Sequence, residues 1–138
     1  MIVLDTNVVS ETMAKQPNPG VIRFLDRLED SVAVTVITVA EIRYGIAVLP
    51  AGARKRNLAE SSERVFAALG SSGVLSFDER AASAYAEIAA ARRRAGRPIS
   101  QADAIIAAIC RHREVSLVTR NVDDFAGTGI VVVNPWDT

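Results

Sequence analysis

Ile2-Val3-Leu4-Asp5-Thr6-Asn7 is a run of branched apolar side chains that stops on a carboxylate, with two small polar residues behind it. Branched residues without polar alternation read as a strand buried on both faces, and open α/β sheets collect ligands beyond the carboxyl ends of their strands. Asp5 therefore stands where a site would form. Asp-Thr-Asn is also ordinary loop and helix-capping material, although no capping-box spacing accompanies it here. Its functional meaning depends on whether other acids occupy equivalent places.

Outward from this stretch, strand signals recur over 32–36, 74–77, 116–119 and 130–133, and most of the intervals carry helical periodicity. That alternation predicts an α/β fold with a parallel, doubly wound sheet. Helices are expected over 8–14, around 21–28, over 38–49 and 53–69, from a cap at Asp78 to Ala95, and from Ser100 to about Arg113. Pro17-Asn18-Pro19-Gly20, Pro50-Ala51-Gly52, and Gly96 with Pro98 supply the stops between them. The pair 38–49 and 53–69 reads as a helical hairpin projecting from the sheet.

With 138 residues and no internal repeat or linker, residues 1–138 are expected to form one domain. Sixteen basic residues balance sixteen acidic ones, so no net field draws in a polyanion and any nucleic-acid contact falls to local patches. No apolar stretch is long enough for a bilayer, no basic-then-apolar leader opens the chain, and the lone Cys110 has no disulfide partner. A cytoplasmic location with a buried, inert thiol is the expectation.

Three further acids fall at the same kind of position. Glu41 closes Thr38-Val39-Ala40-Glu41, the spacing of a capping box, which accounts for it structurally without any chemistry. Asp103 closes Ser100-Gln101-Ala102-Asp103, again a cap followed by an acid, but it leads into the apolar stretch 104–110, where a helix would be buried all round. An acid there is partly desolvated and wants a cation. The fourth place is Thr119-Arg120-Asn121-Val122-Asp123-Asp124-Phe125, directly after the fourth strand signal. Four acids on one sheet edge repel unless something positive neutralises them, and an oxygen-only donor set suits Mg²⁺ or Mn²⁺. Zinc is disfavoured, since no Cys/His ligand spacing exists and His112 is expected at the exposed end of a helix.

Taken in order, Leu4-Asp5-Thr6-Asn7, Val39-Ala40-Glu41-Ile42-Arg43-Tyr44-Gly45, Ala102-Asp103-Ala104-Ile105-Ile106, Thr119-Arg120-Asn121 through Asp124-Phe125, and Asn134-Pro135-Trp136 resemble the PIN-domain family. The likeness is to the VapC-type toxins of bacterial toxin–antitoxin pairs and their FitB-like branch, and it covers essentially the whole chain. It implies a three-layer α/β/α fold around a parallel sheet of about five strands. It also implies an acidic, metal-holding and catalytic quartet of Asp5, Glu41, Asp103 and Asp124. Asn121 stands where some relatives carry an acid, which makes it a hydrogen-bonding or water-mediated neighbour and makes Asp123 the weaker candidate for the fourth place. Thr6 and Thr119 match positions that arrange the site.

The resemblance further implies hydrolysis of RNA by metal-activated water, a homodimer, an inhibiting antitoxin, and operator DNA bound through that antitoxin. Arg43, Arg92, Arg93 and Arg97 are the candidate RNA contacts, with further basic clusters at 54–56 and at Arg111 and Arg113, although each reads equally as a solvated helix face. Rival readings are a metal-dependent phosphatase, disfavoured because Asn7 stands where a second Asp is wanted, and a non-catalytic binding module.

Overall fold

The strand β1 (Ile2–Leu4) lies at the centre of the sheet, flanked by β2 (Val32–Thr35) and β4 (Ser116–Val118), with β3 (Val74–Leu75) and β5 (Val132–Val133) at the edges. This computed structural model describes residues 1–137. All four pairings are parallel; Ile2 registers with Val32 on one side and with Ser116 on the other. The order β3-β2-β1-β4-β5 reverses direction at β1. The crevice between the carboxyl ends of β1 and β4 is therefore the topological switch point, the place where such sheets bind ligands.

Among the described residues six α-helices cover the sheet: α1 (Thr6–Thr12), α2 (Pro19–Asp26), α3 (Val36–Ala47), α4 (Ala53–Leu69), α5 (Glu79–Arg94) and α6 (Gln101–Arg113). Side chains alternate across β1 and divide the core in two. Val3 packs with Ile88, Ile106, Ile109 and Leu117 on the α5–α6 side, while Ile2 and Leu4 pack with Val8, Val21, Ile42 and Phe66 on the α1–α4 side. The result is the expected α/β/α sandwich. Residues 106–110 of α6 are all buried, which is why that helix carries no polar face there, and burial pushes the Cys110 thiol up to about 12. No helix among the described residues is long and apolar enough to cross a membrane.

Three local expectations need correction. Helix α3 starts at Val36 because the Thr35 hydroxyl, and not that of Thr38, caps it by accepting from the Thr38 N–H at 3.3 Å. Glu41 thus lies in the second helical turn, where the capping-box account of it no longer applies. Helix α1 begins at Thr6, directly after the strand, and Asp5 is its cap. His112 is half-buried, with Nε2 4.0 Å from Asp78 Oδ2, and is not at a fully exposed helix end.

Candidate active site

Asp5 lies at the switch point and is only 5% exposed. Its Oδ1 accepts from the Thr6 N–H at 2.8 Å, and its Oδ2 accepts from Thr119 Oγ1 at 2.8 Å and from Asn7 Nδ2 at 3.3 Å. The backbone fixes it as well, since the Asp5 N–H donates to Val118 O at 2.9 Å and locks the end of β1 to the end of β4. Burial is the largest influence on its carboxyl and raises it above the ordinary 3.8; the Thr119 and Thr6 hydrogen bonds oppose this, and the fields of Asp103 and Glu41 add to it. The carboxylate is charge-strained and held still.

Thr6 carries the neighbouring acid. Its hydroxyl donates to Glu41 Oε1 at 2.7 Å and lies 2.9 Å from Thr38 Oγ1. One hydroxyl has one proton, so Thr38, fully buried, is the donor in the second contact. The chain Thr38 to Thr6 to Glu41 ties the exposed carboxylate of α3 to the residue next to Asp5.

Asp103 follows the Ser100 cap of α6, whose Oγ accepts from the Asp103 N–H at 3.2 Å. Its carboxyl is raised chiefly by partial burial, then by the fields of Asp124 and Glu41, with Ser100 and Arg92 acting in the opposite direction. Asp124 lies on the 3₁₀ turn Val122–Phe125 that follows β4, exposed, and it is Asp124 that contributes to the field at Asp103. Asn121 donates its N–H to Thr119 Oγ1 at 3.1 Å and shares an open cleft with Arg120, Asp123, Asp124, Asn134 and Asp137. Asp5, Glu41, Asp103 and Asp124 thus form one electrostatic unit.

No three Asp, Glu, His or Cys side chains among the described residues stand close enough to enclose an ion unaided. The donor chemistry nevertheless fits a hard divalent cation: oxygen ligands, two carboxyls made basic by burial and mutual repulsion, and no ion pair on any of the four among the described residues. An ion ligated by two or three carboxylates, with waters at its remaining positions, suits such an open arrangement.

The arginines divide. Arg93 and Arg97 have exposed side chains near the end of α5. Arg92 was expected among the RNA contacts and is not available to be one: it is only 8% exposed, with its guanidinium bonded to three backbone carbonyls. Arg43 is solvent-exposed but faces α4, 3.6 Å from Glu63 and stacked 5.5 Å from the Phe66 ring centroid. Two positions along a helix diverge by about 200°, so Arg43 points away from the side that carries Glu41.

Asn7 is the residue that sequence reasoning undervalued. Its Nδ2 donates to Asp5 and, at 3.1 Å, to Thr119 Oγ1, while its Oδ1 accepts from the Arg120 N–H at 3.2 Å. The signal was its adjacency to a strand-terminal acid. Asn7→Ala should leave the fold intact while weakening Mn²⁺ binding by roughly 10- to 100-fold, the usual cost of losing an outer partner of a metal ligand; circular dichroism and calorimetric titration with Mn²⁺ check both halves.

A family model described as "PIN domain" matches residues 2–130. The chain is 41% identical to the plasmid stability protein StbB of Pseudomonas syringae pv. tomato, with 99% of each chain covered. It is 37% identical to the VapC ribonuclease Y4jK of Sinorhizobium fredii over 99% of both. Among solved structures, FitAB bound to the IR36 DNA fragment superposes with a TM-score of 0.91 at 39% identity, covering 99% of this chain and 96% of that one. Matching sequence over its whole length, and carrying its acids on the expected edge of the expected sheet, the chain belongs to the PIN-domain family.

Proposed function

We propose that the chain is a divalent-metal-dependent endoribonuclease, the toxin of a toxin–antitoxin pair, in which Asp5, Glu41, Asp103 and Asp124 form the ion's acidic site, two or three of them as direct ligands and the rest through water. The observation that carries this is Asp5: a buried carboxylate at the switch point, hydrogen-bonded in place, in the field of two other acids and without a cationic partner among the described residues. Likeness to a VapC ribonuclease supports RNA as the substrate.

When bound, Mg²⁺ or Mn²⁺ supplies an activated water and positive charge for the phosphoryl oxygens. The chain's own residues do the rest. Asp5 and Asp103 are the principal ligands, Thr119 and Asn7 fix the orientation of Asp5, and Thr6 orients Glu41. Asp124 adds its negative charge from its exposed turn. No histidine base is required. The expected products carry a 5′-phosphate and a 3′-hydroxyl. Purified protein should cleave RNA with Mg²⁺ or Mn²⁺, fail with EDTA, and leave small phosphate esters intact; metal-independent cleavage, or hydrolysis of the esters, overturns the assignment.

The partners follow from the same reading. The chain works in the cytoplasm as a homodimer, is inhibited by an antitoxin, and meets operator DNA through it, an arrangement consistent with the likeness to FitAB on DNA. Arg93 and Arg97 are the phosphate contacts. Removing both should flatten the salt dependence of kcat/KM, lowering the log–log slope by roughly 1.4 for two phosphates of single-stranded RNA. An unchanged slope removes these arginines from the substrate path.

A further inference from the structure

The α5–α6 connection and the turn that carries Asp124 are distant in sequence, yet one side chain joins them. Arg92 extends from the last turn of α5 with Nε donating to Arg97 O at 2.7 Å, while Nη1 donates to Asp124 O at 2.8 Å and to Ala126 O at 2.9 Å. The Arg97 N–H returns the contact by donating to Arg92 O at 2.9 Å, which closes a ring around the turn at Gly96 (φ 73°). That turn leads into Ser100 and Asp103. On the far side Gly127, with φ 74°, packs beside the arginine: a Cβ there would lie 3.8 Å from Arg92 Cδ.

A charged guanidinium is costly to bury unless its donors are satisfied, and hydrogen bonds from an ionised donor are about twice as strong as neutral ones. Lysine cannot reproduce a planar fork that serves three carbonyls in two segments. The backbone of Asp124 is therefore pinned at its own carbonyl while its carboxylate stays exposed. The Arg92 charge also acts on Asp103, the other acid of the pair.

We propose that Arg92 is a positioning residue for the acidic site, setting the 3₁₀ turn of Asp124 against the α5–α6 connection that delivers Asp103 by bonding the backbone of both. This rests on the proposed metal-dependent ribonuclease, and a wild-type control without cleavage would refute that function and leave the Arg92 contacts to be judged by amide exchange alone.

The experiment compares wild type, Arg92→Lys, Arg92→Gln, Asp124→Asn and the double variant R92K/D124N. Arg92→Lys should lower kcat by roughly 10- to 100-fold with KM for RNA changed less than about threefold, weaken Mn²⁺ binding in calorimetry by a similar factor, and speed amide exchange over 123–126. In the Asp124→Asn background the same substitution should cost clearly less than it does alone, because part of its effect runs through Asp124 and coupled residues are not additive. Full multiplication of the two losses overturns the proposal, as does an unchanged kcat with unchanged Mn²⁺ affinity. Slow exchange over 123–126 in both Arg92 variants does so too. A chain that unfolds in both variants assigns Arg92 to the scaffold and likewise overturns it.

Discussion

Asp5→Asn and Asp103→Asn should each reduce metal-dependent RNA cleavage by roughly 10²- to 10³-fold or more, the range seen when a principal electrostatic group is removed from a reaction centre. Both variants should remain folded. Asn keeps an oxygen to accept from the Thr6 N–H that Asp5 now caps at 2.8 Å, so the start of α1 stays capped. Removing either charge also relieves repulsion, since Asp5 and Asp103 each lie in the field of Glu41 and Asp5 in that of Asp103. Cleavage assays and thermal unfolding on the same preparations check the pair of expectations. Retained activity in both variants would remove the acids from the chemistry, and a collapsed fold would make Asp5 first of all a structural cap.

The second large effect concerns stability. An ion that binds only the folded chain stabilises it by about 2.7 kcal/mol at a hundred times its Kd, which for a chain of this size is roughly a 10 °C rise in Tm. Without metal, the pH dependence has a definite sign. Burial raises the Asp5 and Asp103 carboxyls above their ordinary 3.8, so the folded chain takes up these protons at a higher pH than the unfolded one. Their contribution to stability therefore grows as pH falls through the raised values and is complete near 3.8, where the unfolded chain is protonated too. Asp78, lowered chiefly by its bond from the Ala81 N–H, works in the opposite direction below that range. In EDTA, the Tm of wild type relative to the D5N/D103N double variant should rise as the pH falls from neutral toward 3.8. With saturating Mn²⁺ the trend should reverse, because protons then compete with the ion. A Tm difference flat in pH, or indifferent to Mn²⁺, would contradict the site.

Much of this was legible because strand ends and hydrophobic periods are local. The run 2–4 ending at Asp5, the apolar stretch of α6, and the caps at Asp78 and Ser100 all appear where the residues placed them. The capping role of Asp5, and the lack of one for Glu41, were less legible. Helix α3 can start at either of two threonines by composition, and the one chosen, Thr35, is the last residue of β2, fixed by pairing with β3 at Leu75. That shift of a few residues took Glu41 out of the first turn and aimed it at Thr6. The arginine run at 92–94 looks uniform in sequence, yet one member is buried and the others are exposed.

The sequence by itself determined the alternation of strands and helices and the parallel sheet, since both depend on periodicity and on what directly follows a strand. Tertiary structure alone decided which groups touch: Thr119 with Asp5, Thr6 with Glu41, Arg92 with Asp124. Those contacts join residues more than thirty positions apart, and a hydrogen bond constrains two atoms in space while leaving no period along the chain. The sheet order supplies that missing information by bringing the ends of β1 and β4 together at the crevice where Asp5 sits.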